Sequence, residues 1–551
     1  MKRRHRTWLL AGTVLLQLGC AEFPGDAAWF VDEAGARGLD FEHRSGFTRG
    51  TGLRPLLPEI VGGGAALADF DGDGDLDAYL VQSGWRLDDS SAARTGNQLY
   101  LNRGDGTFEA ANGTGDSGYG MGVTAGDYDG DGDVDLYVTN VGANALLRND
   151  GTGRFEDVAV MAGVAHPGWG TAAAFLDLDT DGDLDLFLVN YMNWSLDIEK
   201  ECRARGKLTY CSPTAYKSPA VDRLFRNNGD GTFTDVTVAA GLNRSSGNGL
   251  GLVAADFNND GHLDLFVAND KTLNHLWINE GGLRFTDRAG EWGCAVDEHG
   301  MAKAGMGVGA GDVDDDGDVD VVVVNLEGET DSFFRNEGRY FADATSMIGL
   351  GATSGRYTRF GVALVDFDNN GTLDLFEANG KVDGDVNLAD DAFAEPNVLY
   401  RGESGAGGVR FVPVGEAMAP LRHTSRAVAV GDVDNDGGMD LLIVNRDARA
   451  YLLMNRAPGR GNWIRISVRE GDALALGARV LAKVDGRWLA REVQRTGSYL
   501  ASNDPRVLIG LVEAGEASEV RVRWADGEVE SFGSISAGET VTLRRGEGRS
   551  L

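Results

Sequence analysis

The sequence predicts an all-β chain, a seven-bladed β-propeller closed by an N-terminal strand and followed by a small β-rich C-terminal domain. Three observations predict it. A nine-residue loop recurs seven times, with Asp at position 1, Asp or Asn at positions 3 and 5, Gly at 6 and Asp at 9. Each copy sits in the same run of short strand-like segments. The segment Trp29-Phe30-Val31-Asp32-Glu33-Ala34-Gly35 looks like the last strand of a unit yet follows no loop, and the seventh unit lacks that strand.

The loops begin at Asp69, Asp127, Asp177, Asp256, Asp312, Asp366 and Asp432, separated by 58, 50, 79, 56, 54 and 66 residues. Such spacing marks a repeated supersecondary unit with insertions in some copies. Before the loop comes a glycine-flanked segment such as Gly120-Met121-Gly122, Gly168-Trp169-Gly170, Gly249-Leu250-Gly251 or Gly305-Met306-Gly307. It is expected to be the innermost strand, where crowding at an axis penalises side chains. After the loop comes an apolar strand, Leu136-Tyr137-Val138 or Val321-Val322-Val323-Val324. A third strand such as Gln98-Leu99-Tyr100-Leu101 meets a Gly/Asn/Asp turn, and a fourth carries Phe, as in Phe155-Glu156-Asp157. Four strands with turn residues between them make a β-meander. Seven meanders have edges to hide, and radial closure hides them. The N-terminal strand is expected to complete the last sheet.

Within the loops, alternate oxygen ligands converge while Gly lets the backbone turn back, which is the requirement of a hard cation. The expected side-chain ligands are Asp69, Asp71, Asp73 and Asp77; Asp127, Asp129, Asp131 and Asp135; Asp177, Asp179, Asp181 and Asp185; Asp256, Asn258, Asp260 and Asp264; Asp312, Asp314, Asp316 and Asp320; Asp366, Asp368, Asn370 and Asp374; and Asp432, Asp434, Asp436 and Asp440. In the first loop the Asp75 carbonyl is expected to add another. Like charges about 4 Å apart cost on the order of 4 kcal/mol at an effective dielectric near 20, so four carboxylates folded onto one point call for a cation. Ca²⁺ is expected, ahead of Mg²⁺ or Mn²⁺, at up to seven structural sites. The fourth and sixth loops have the fewest carboxylates and should bind most weakly. An EF-hand is excluded because its twelfth position carries a bidentate Glu, and Leu80 stands there in the first loop. Nonapeptide β-helices repeat every nine residues, and these loops are far apart.

The chain holds 85 acidic and 51 basic residues for a net charge of −34, and more than a third of the acids lie in the seven loops. Even with cations bound it would repel a phosphate backbone, so nucleic acid is not expected as a partner. Residues 1–20 read as an export signal: Lys2, Arg3, Arg4 and Arg6, then an apolar run from Trp8 to Leu16 too short to span a bilayer. Leu18-Gly19-Cys20 resembles a bacterial lipobox, with Cys20 lipidated, although Gln17 stands where Leu is usual. The expected location is an outer-membrane or cell-surface lipoprotein, or otherwise a periplasmic or secreted protein. Contact with the membrane would be only through that N-terminal lipid anchor. Export favours a disulfide between the nearby Cys202 and Cys211. Cys294 is left as a buried free thiol, and with no CxxC and no HExxH zinc has no support.

The nonamers with their flanking strands, from Ala27 to Asn455, resemble the FG-GAP/VCBS repeats also found in integrin α-subunit propellers. Gly477-Ala478-Arg479-Val480, Gly497-Ser498-Tyr499-Leu500-Ala501-Ser502, Asp504-Pro505-Arg506 and Val522-Arg523-Trp524-Ala525-Asp526-Gly527 are similar to the ASPIC/UnbV domain. Propeller plus this domain is similar to the cartilage acidic protein family and its bacterial members, and the insertion holding Cys202, Cys211 and Pro213 fits it. The resemblance implies an exported Ca²⁺-binding propeller with no established catalytic residues, acting in adhesion or binding. The expected domains are the signal at 1–20, the propeller at 27–456, a linker at 457–461 and the ASPIC/UnbV domain at 462–546, whose Ile464-Arg465-Ile466-Ser467-Val468 alternates as a half-buried strand.

The leading functional expectation is a binding or adhesion module for an extracellular protein or glycan, with no catalytic residue assigned. The alternative is a polysaccharide-active enzyme, a lyase or hydrolase using the propeller cavity or the interdomain cleft. For that, His43, Arg44, Glu59, Arg359, Arg426 and His423 are scattered candidates more readily read as structural. Arg103-Gly104-Asp105 spells a tripeptide that some integrins bind, but it occupies a hairpin-turn position. In the insertion from Tyr191 to Asp222, Trp194, Tyr210 and Tyr216 offer either stacking faces for a sugar or packing against their own blade.

Overall fold

Alternation along each first strand sets the architecture. In the computed structural model, which describes residues 28–111, 116–388, 391–405, 407–415 and 421–551, the strand Gly249–Ala255 is buried at all seven positions. Leu252 and Ala254 pack with Leu176 and Phe187 of the preceding repeat, while Val253 and Ala255 pack with Phe334 of the following one. A strand with period-two side chains and apolar neighbours on both faces belongs between two sheets. The export signal and Cys20 lie outside the described residues.

The four-strand meander occurs seven times among the described residues. The second sheet runs Gly120–Gly126, Asp135–Asn140, Ala145–Asn149 and Phe155–Asp157, all antiparallel. The seventh holds Ser425–Gly431, Asp440–Asn445 and Tyr451–Asn455, and its fourth strand is Phe30–Asp32, with Phe30 opposite Asn455 and Asp32 opposite Leu453. The first strands touch one another in chain order, and Ser425–Gly431 also lies against Ala65–Ala68 of the first sheet.

One expectation is corrected in detail. The glycine-flanked segments open a longer first strand in the second and fourth repeats (Gly120–Gly126 and Gly249–Ala255), contribute only Gly170 to it in the third (Gly170–Leu176), and precede it in the fifth (Val308–Gly311). In every repeat this strand runs to the residue before the loop's first Asp, and the ninth-position Asp opens the second strand. The entrance glycines are needed because consecutive repeats meet there through backbone. A Cβ on Gly251 would stand 2.3 Å from the Met306 carbonyl oxygen, and one on Gly307 would stand 2.0 Å from that of Phe360.

The C-terminal domain builds two further sheets, one on Asn462–Glu470 with Val507–Val512 and Thr540–Arg544, the other on Arg479–Val484 with Arg487–Glu492 and Glu516–Arg523. Its own core includes Ile464, Ile466, Val480, Val520 and Trp524. The second sheet ends at Arg549–Ser550, which pairs with Val529–Ser536, past the expected boundary at 546. The expected linker is packed: Ala457 is buried, and Gly461 donates its N–H to the Asp368 carbonyl.

A segment of this domain lies against the first strands of several repeats. Ala501–Ser502 adds a parallel strand to Ala65–Ala68. Ser502 Oγ accepts the Ala125 N–H, Thr496 Oγ1 that of Ala254, Ser498 Oγ that of Val362, and Asn503 Oδ1 that of Val430. Strands with no partner on their inner side have N–H groups to satisfy, and this short stretch satisfies them in four repeats.

Candidate metal centres

The seven loops share one hydrogen-bonded frame. Oδ2 of the first-position Asp accepts the N–H of the sixth-position Gly in all seven, from Asp69–Gly74 at 3.0 Å to Asp432–Gly437 at 2.9 Å. Oδ1 of the fifth residue accepts the N–H of the seventh, from Asp73–Asp75 to Asp436–Gly438. The shared glycine has φ between 82° and 98° in every copy. Position 4 is left-handed as well, in Gly72 and Gly130 but also in Thr180, Asn259, Asp315, Asn369 and Asn435. That second left-handed turn is signalled by Gly, Asn or Asp in six of the seven copies, and Thr180 gives no such signal.

The ninth-position Asp ties the loop to its sheet. Asp77 takes the Phe70 N–H on Oδ2 at 2.8 Å and the Asn102 N–H on Oδ1 at 2.7 Å. Asp135, Asp185, Asp264, Asp320, Asp374 and Asp440 are bonded in the same way. All seven are buried. Burial pushes Asp77, Asp135 and Asp320 up to about 8, against the pull of those N–H groups.

In five of the loops three of the four expected side chains converge. Carboxylate oxygens of Asp69, Asp71 and Asp77 lie within 4.8 Å of one another, as do those of Asp127, Asp129 and Asp135; Asp177, Asp179 and Asp181; Asp312, Asp314 and Asp316; and Asp366, Asp368 and Asp374. Buried oxygens with no hydrogen-bond partner occur at Asp71, Asp127, Asp129, Asp179, Asp312, Asp314 and Asp434. An ionised oxygen shielded from water and left unpaired is costly, and these residues fit a cation. Burial first, then the neighbouring carboxylate, raises Asp71, Asp129, Asp179 and Asp314 above the usual carboxylate range. Among the described residues of the fourth and sixth loops, where Asn replaces Asp, no carboxylate oxygen is left unpaired in this way, and the unpartnered buried oxygen of the sixth is the Asn369 amide. Asn258 instead donates to Asp260, and Arg401 pairs with Asp368 at 2.7 Å.

Arginines divide the loops into two groups. In the seventh, Asp432 pairs with Arg465 at 2.7 Å, Asp434 with Arg37 at 3.1 Å and Asp436 with Arg460 at 3.0 Å. The C-terminal domain also places Arg523 3.2 Å from Asp256, Arg479 3.4 Å from Asp312, and Arg487 on Asp315. In the first three loops, among the described residues, no basic side chain comes within ion-pair distance of a first-, third- or fifth-position Asp. These arginines lie tens to hundreds of residues from their acids, and no sequence spacing marks them.

The catalytic candidates are mostly sealed and engaged. His43 is fully buried with Nε2 3.3 Å from Ser83 Oγ, and burial pushes it down to about 4. Glu59 pairs with Arg86 at 2.9 Å and accepts the Leu56 N–H. Arg426 donates to the carbonyls of Ile60 and Gly380 and stacks 3.8 Å over Phe360. Arg359 pairs with Asp331 at 2.8 Å, both fully buried. Arg44 is exposed, and the His423 ring lies against Tyr451. Arg103-Gly104-Asp105 is the turn between Gln98–Asn102 and Phe108–Ala110, with Asp105 accepting from Thr107 and Arg103 held by Glu109.

The insertion's rings pack largely against their own surroundings. Trp194 lies edge-on to Trp169 and donates to Glu199 at 2.7 Å, Tyr216 donates to Glu199 at 2.6 Å, and Tyr210 packs on Phe47 and Phe393. A disulfide joins Cys202 and Cys211, and Cys294 is buried and free.

Known proteins share this organisation. The FG-GAP-like repeat family matches residues 69–138, 127–188, 214–267, 256–323 and 312–377, and the ASPIC and UnbV family matches 469–550. Cartilage acidic protein 1 of Homo sapiens is 27% identical over 325 residues, covering 57% of this chain and 39% of that protein; the Xenopus tropicalis protein is 27% identical over 338 residues with the same coverage. The chain thus spans about two-fifths of the length of these relatives. Among solved structures, an Agrocybe aegerita lectin recognising non-reducing terminal N-acetylglucosamine aligns at 17% identity and a TM-score of 0.39, over 70% of this chain and 86% of that one. YCF48 bound to D1 peptide aligns at 8% and 0.40, over 74% and 97%. Neither a shared ligand nor a shared activity follows from scores that low.

Proposed function

The chain belongs to the FG-GAP-like repeat family and ends in an ASPIC and UnbV domain, and on that premise we propose that it is an exported, calcium-binding, closed seven-bladed propeller acting as a binding module for an extracellular protein or glycan. The observation that carries the calcium reading is the set of buried, unpartnered carboxylate oxygens in the first, second, third and fifth loops, whose ligand atoms already converge. Asp69, Asp71, Asp73 and Asp77 and their counterparts would hold the ion, and its chemistry there is neutralisation of charge. Closure is supported by the contact between Ser425–Gly431 and Ala65–Ala68 and by the strand that Phe30–Asp32 lends to the last sheet. The first three loops, with no arginine within ion-pair distance of their first-, third- and fifth-position Asp, are the ones most dependent on a cation.

The binding role rests on family membership and on a rigid scaffold presenting loops. An enzyme reading finds less support, because His43, Glu59, Arg359 and Arg426 are buried and already bonded. Export and a lipid anchor at Cys20 are part of the same proposal. Metal content of the purified chain, followed by glycan and protein arrays with and without EDTA, tests it. Bound calcium and a retained ligand lost on chelation are expected; metal-free protein that melts identically after chelation overturns the calcium reading, and turnover of a retained polysaccharide overturns the binder.

A further inference from the structure

A cavity of about 350 Å³ lies between the disulfide-closed hairpin of the third-repeat insertion and the entrances of the first strands in repeats four to six. Leu250, Met306 and Phe360 line it from those strands, Ile60 from the N-terminal segment, and Tyr210 from the insertion. Small-molecule sites are typically apolar hollows of about 300–1,000 Å³ with a few convergent polar groups. Here those groups are Asp270, Lys271, Arg203 and Asp383.

Their partners distinguish them. Lys271 pairs with Glu329, Arg203 with Glu201 at 2.8 Å, and Asp383 accepts from Thr209 Oγ1 at 3.2 Å. Asp270 has one side-chain partner, the Tyr191 hydroxyl, which donates to Oδ2 at 2.7 Å. Among the described residues no Lys, Arg or His stands within ion-pair distance of it. Arg426 is nearby on the Phe360 ring, but its guanidinium is taken up by the carbonyls of Ile60, Gly380 and Lys381. The Asp270 carboxylate has no cation in direct contact, since the adjacent Lys271 acts on it only at longer range while paired with Glu329, and the chain's net charge of −34 draws cations toward it.

We propose that this cavity binds a small apolar amine, its ammonium group on Asp270 and its hydrocarbon part against Leu250, Met306 and Phe360. The site is independent of the cation loops: Asp270 follows the second strand of the fourth repeat, Asp264–Asn269, at the end away from the loop. The Tyr191 hydroxyl orients the carboxylate, leaving Oδ1 for the ammonium.

The test is a calorimetric titration of the full chain in calcium with phenethylamine and, separately, with 2-phenylethanol, which keeps the ring and lacks the charge. Saturable binding of the amine is expected, at least roughly tenfold tighter than the alcohol, the factor that about 1.4 kcal/mol supplies. Asp270→Asn keeps an acceptor for Tyr191 and should erase that preference while leaving the alcohol's affinity unchanged; Met306→Trp should fill the cavity and abolish both. The wild-type comparison needs no variant, so misfolding of either mutant leaves the test intact. Absence of saturable amine binding, equal affinity for amine and alcohol, or a preference that survives Asp270→Asn in folded protein overturns the proposal.

Discussion

Asn102 donates from Nδ2 to the main-chain carbonyl of Val433 across 2.9 Å, joining the first repeat to the seventh. The same amide donates to the Leu76 carbonyl of its own repeat at 3.0 Å. Asn149 reaches Phe70 in this way, Asn227 reaches Tyr128, Asn279 reaches Leu178, Asn336 reaches Phe257 and Asn455 reaches Phe367. Each Asn ends a third strand and grips the second residue of the preceding loop, so the loops are stapled to their neighbours. The sixth repeat has Gly402 there instead, where a Cβ would stand 2.1 Å from the Leu373 carbonyl oxygen.

Replacing Asn149 by Ala should therefore loosen one junction between repeats. The buried carbonyl of Phe70 and the partly buried one of Val134 would lose this donor. Buried groups left unpaired cost about 1–3 kcal/mol each. Denaturant unfolding at fixed calcium is expected to show a lowered midpoint, whereas a change at an exposed site such as Val160 should be neutral. No loss at Asn149 would mean that the staple adds nothing to burial alone.

This staple shows where sequence reasoning stopped. The loops were readable because position 1, 6 and 9 residues have fixed local jobs, and the edge strand at Phe30 because its pattern matched Phe155-Glu156-Asp157. The third-strand endings Leu101-Asn102, Arg148-Asn149, Arg226-Asn227 and Ile278-Asn279 also repeat in the sequence, and only the reach of the side chain into another repeat was hidden. Arg465 on Asp432 carried no such pattern, since one pair at one place leaves no period. His43, Glu59 and Arg426 looked scattered along the chain because their proximity is made by folding: His43 and Glu59 both feel the charges of Arg446 and Asp447.

Calcium should stabilise the chain through the first three loops in particular. At a tenfold excess over a site's dissociation constant, each independent site adds about 1.4 kcal/mol. Asp71→Ala or Asp129→Ala should lower the melting temperature in calcium and scarcely change it in EDTA. Equal losses in both buffers would show that these carboxylates do not ligate.

Acid should unfold the protein partly through His43. Burial lowers its pKa from 6.5 to about 4, so the native state binds fewer protons than the unfolded state between those values. The contribution is fully present above pH 6.5 and is lost as pH falls toward 4, up to roughly 3 kcal/mol at about 1.4 kcal/mol per unit. His43→Gln can keep a contact with Ser83 and does not titrate. The difference in stability between wild type and variant should fall with acidification across that window and stay flat above it, as read from urea midpoints at each pH; a flat difference throughout would show that His43 titrates normally.

Arg465 and Asp432 offer the sharpest test of what neutralises the seventh loop. Both side chains are buried and 2.7 Å apart, and removing one partner of such a pair typically costs about 3–5 kcal/mol because the other charge remains. Arg465→Met keeps the apolar stem against Trp463, over whose ring the guanidinium sits. With EDTA present, Asp432 would keep only the more distant charge of Arg506, which donates to its main-chain carbonyl, and most of the penalty is expected. In calcium, an ion on Asp432, Asp434 and Asp436 would take over part of that neutralisation, so the penalty should shrink. An equal loss in both buffers would mean that arginine alone balances this loop and that the chain holds fewer than seven ions.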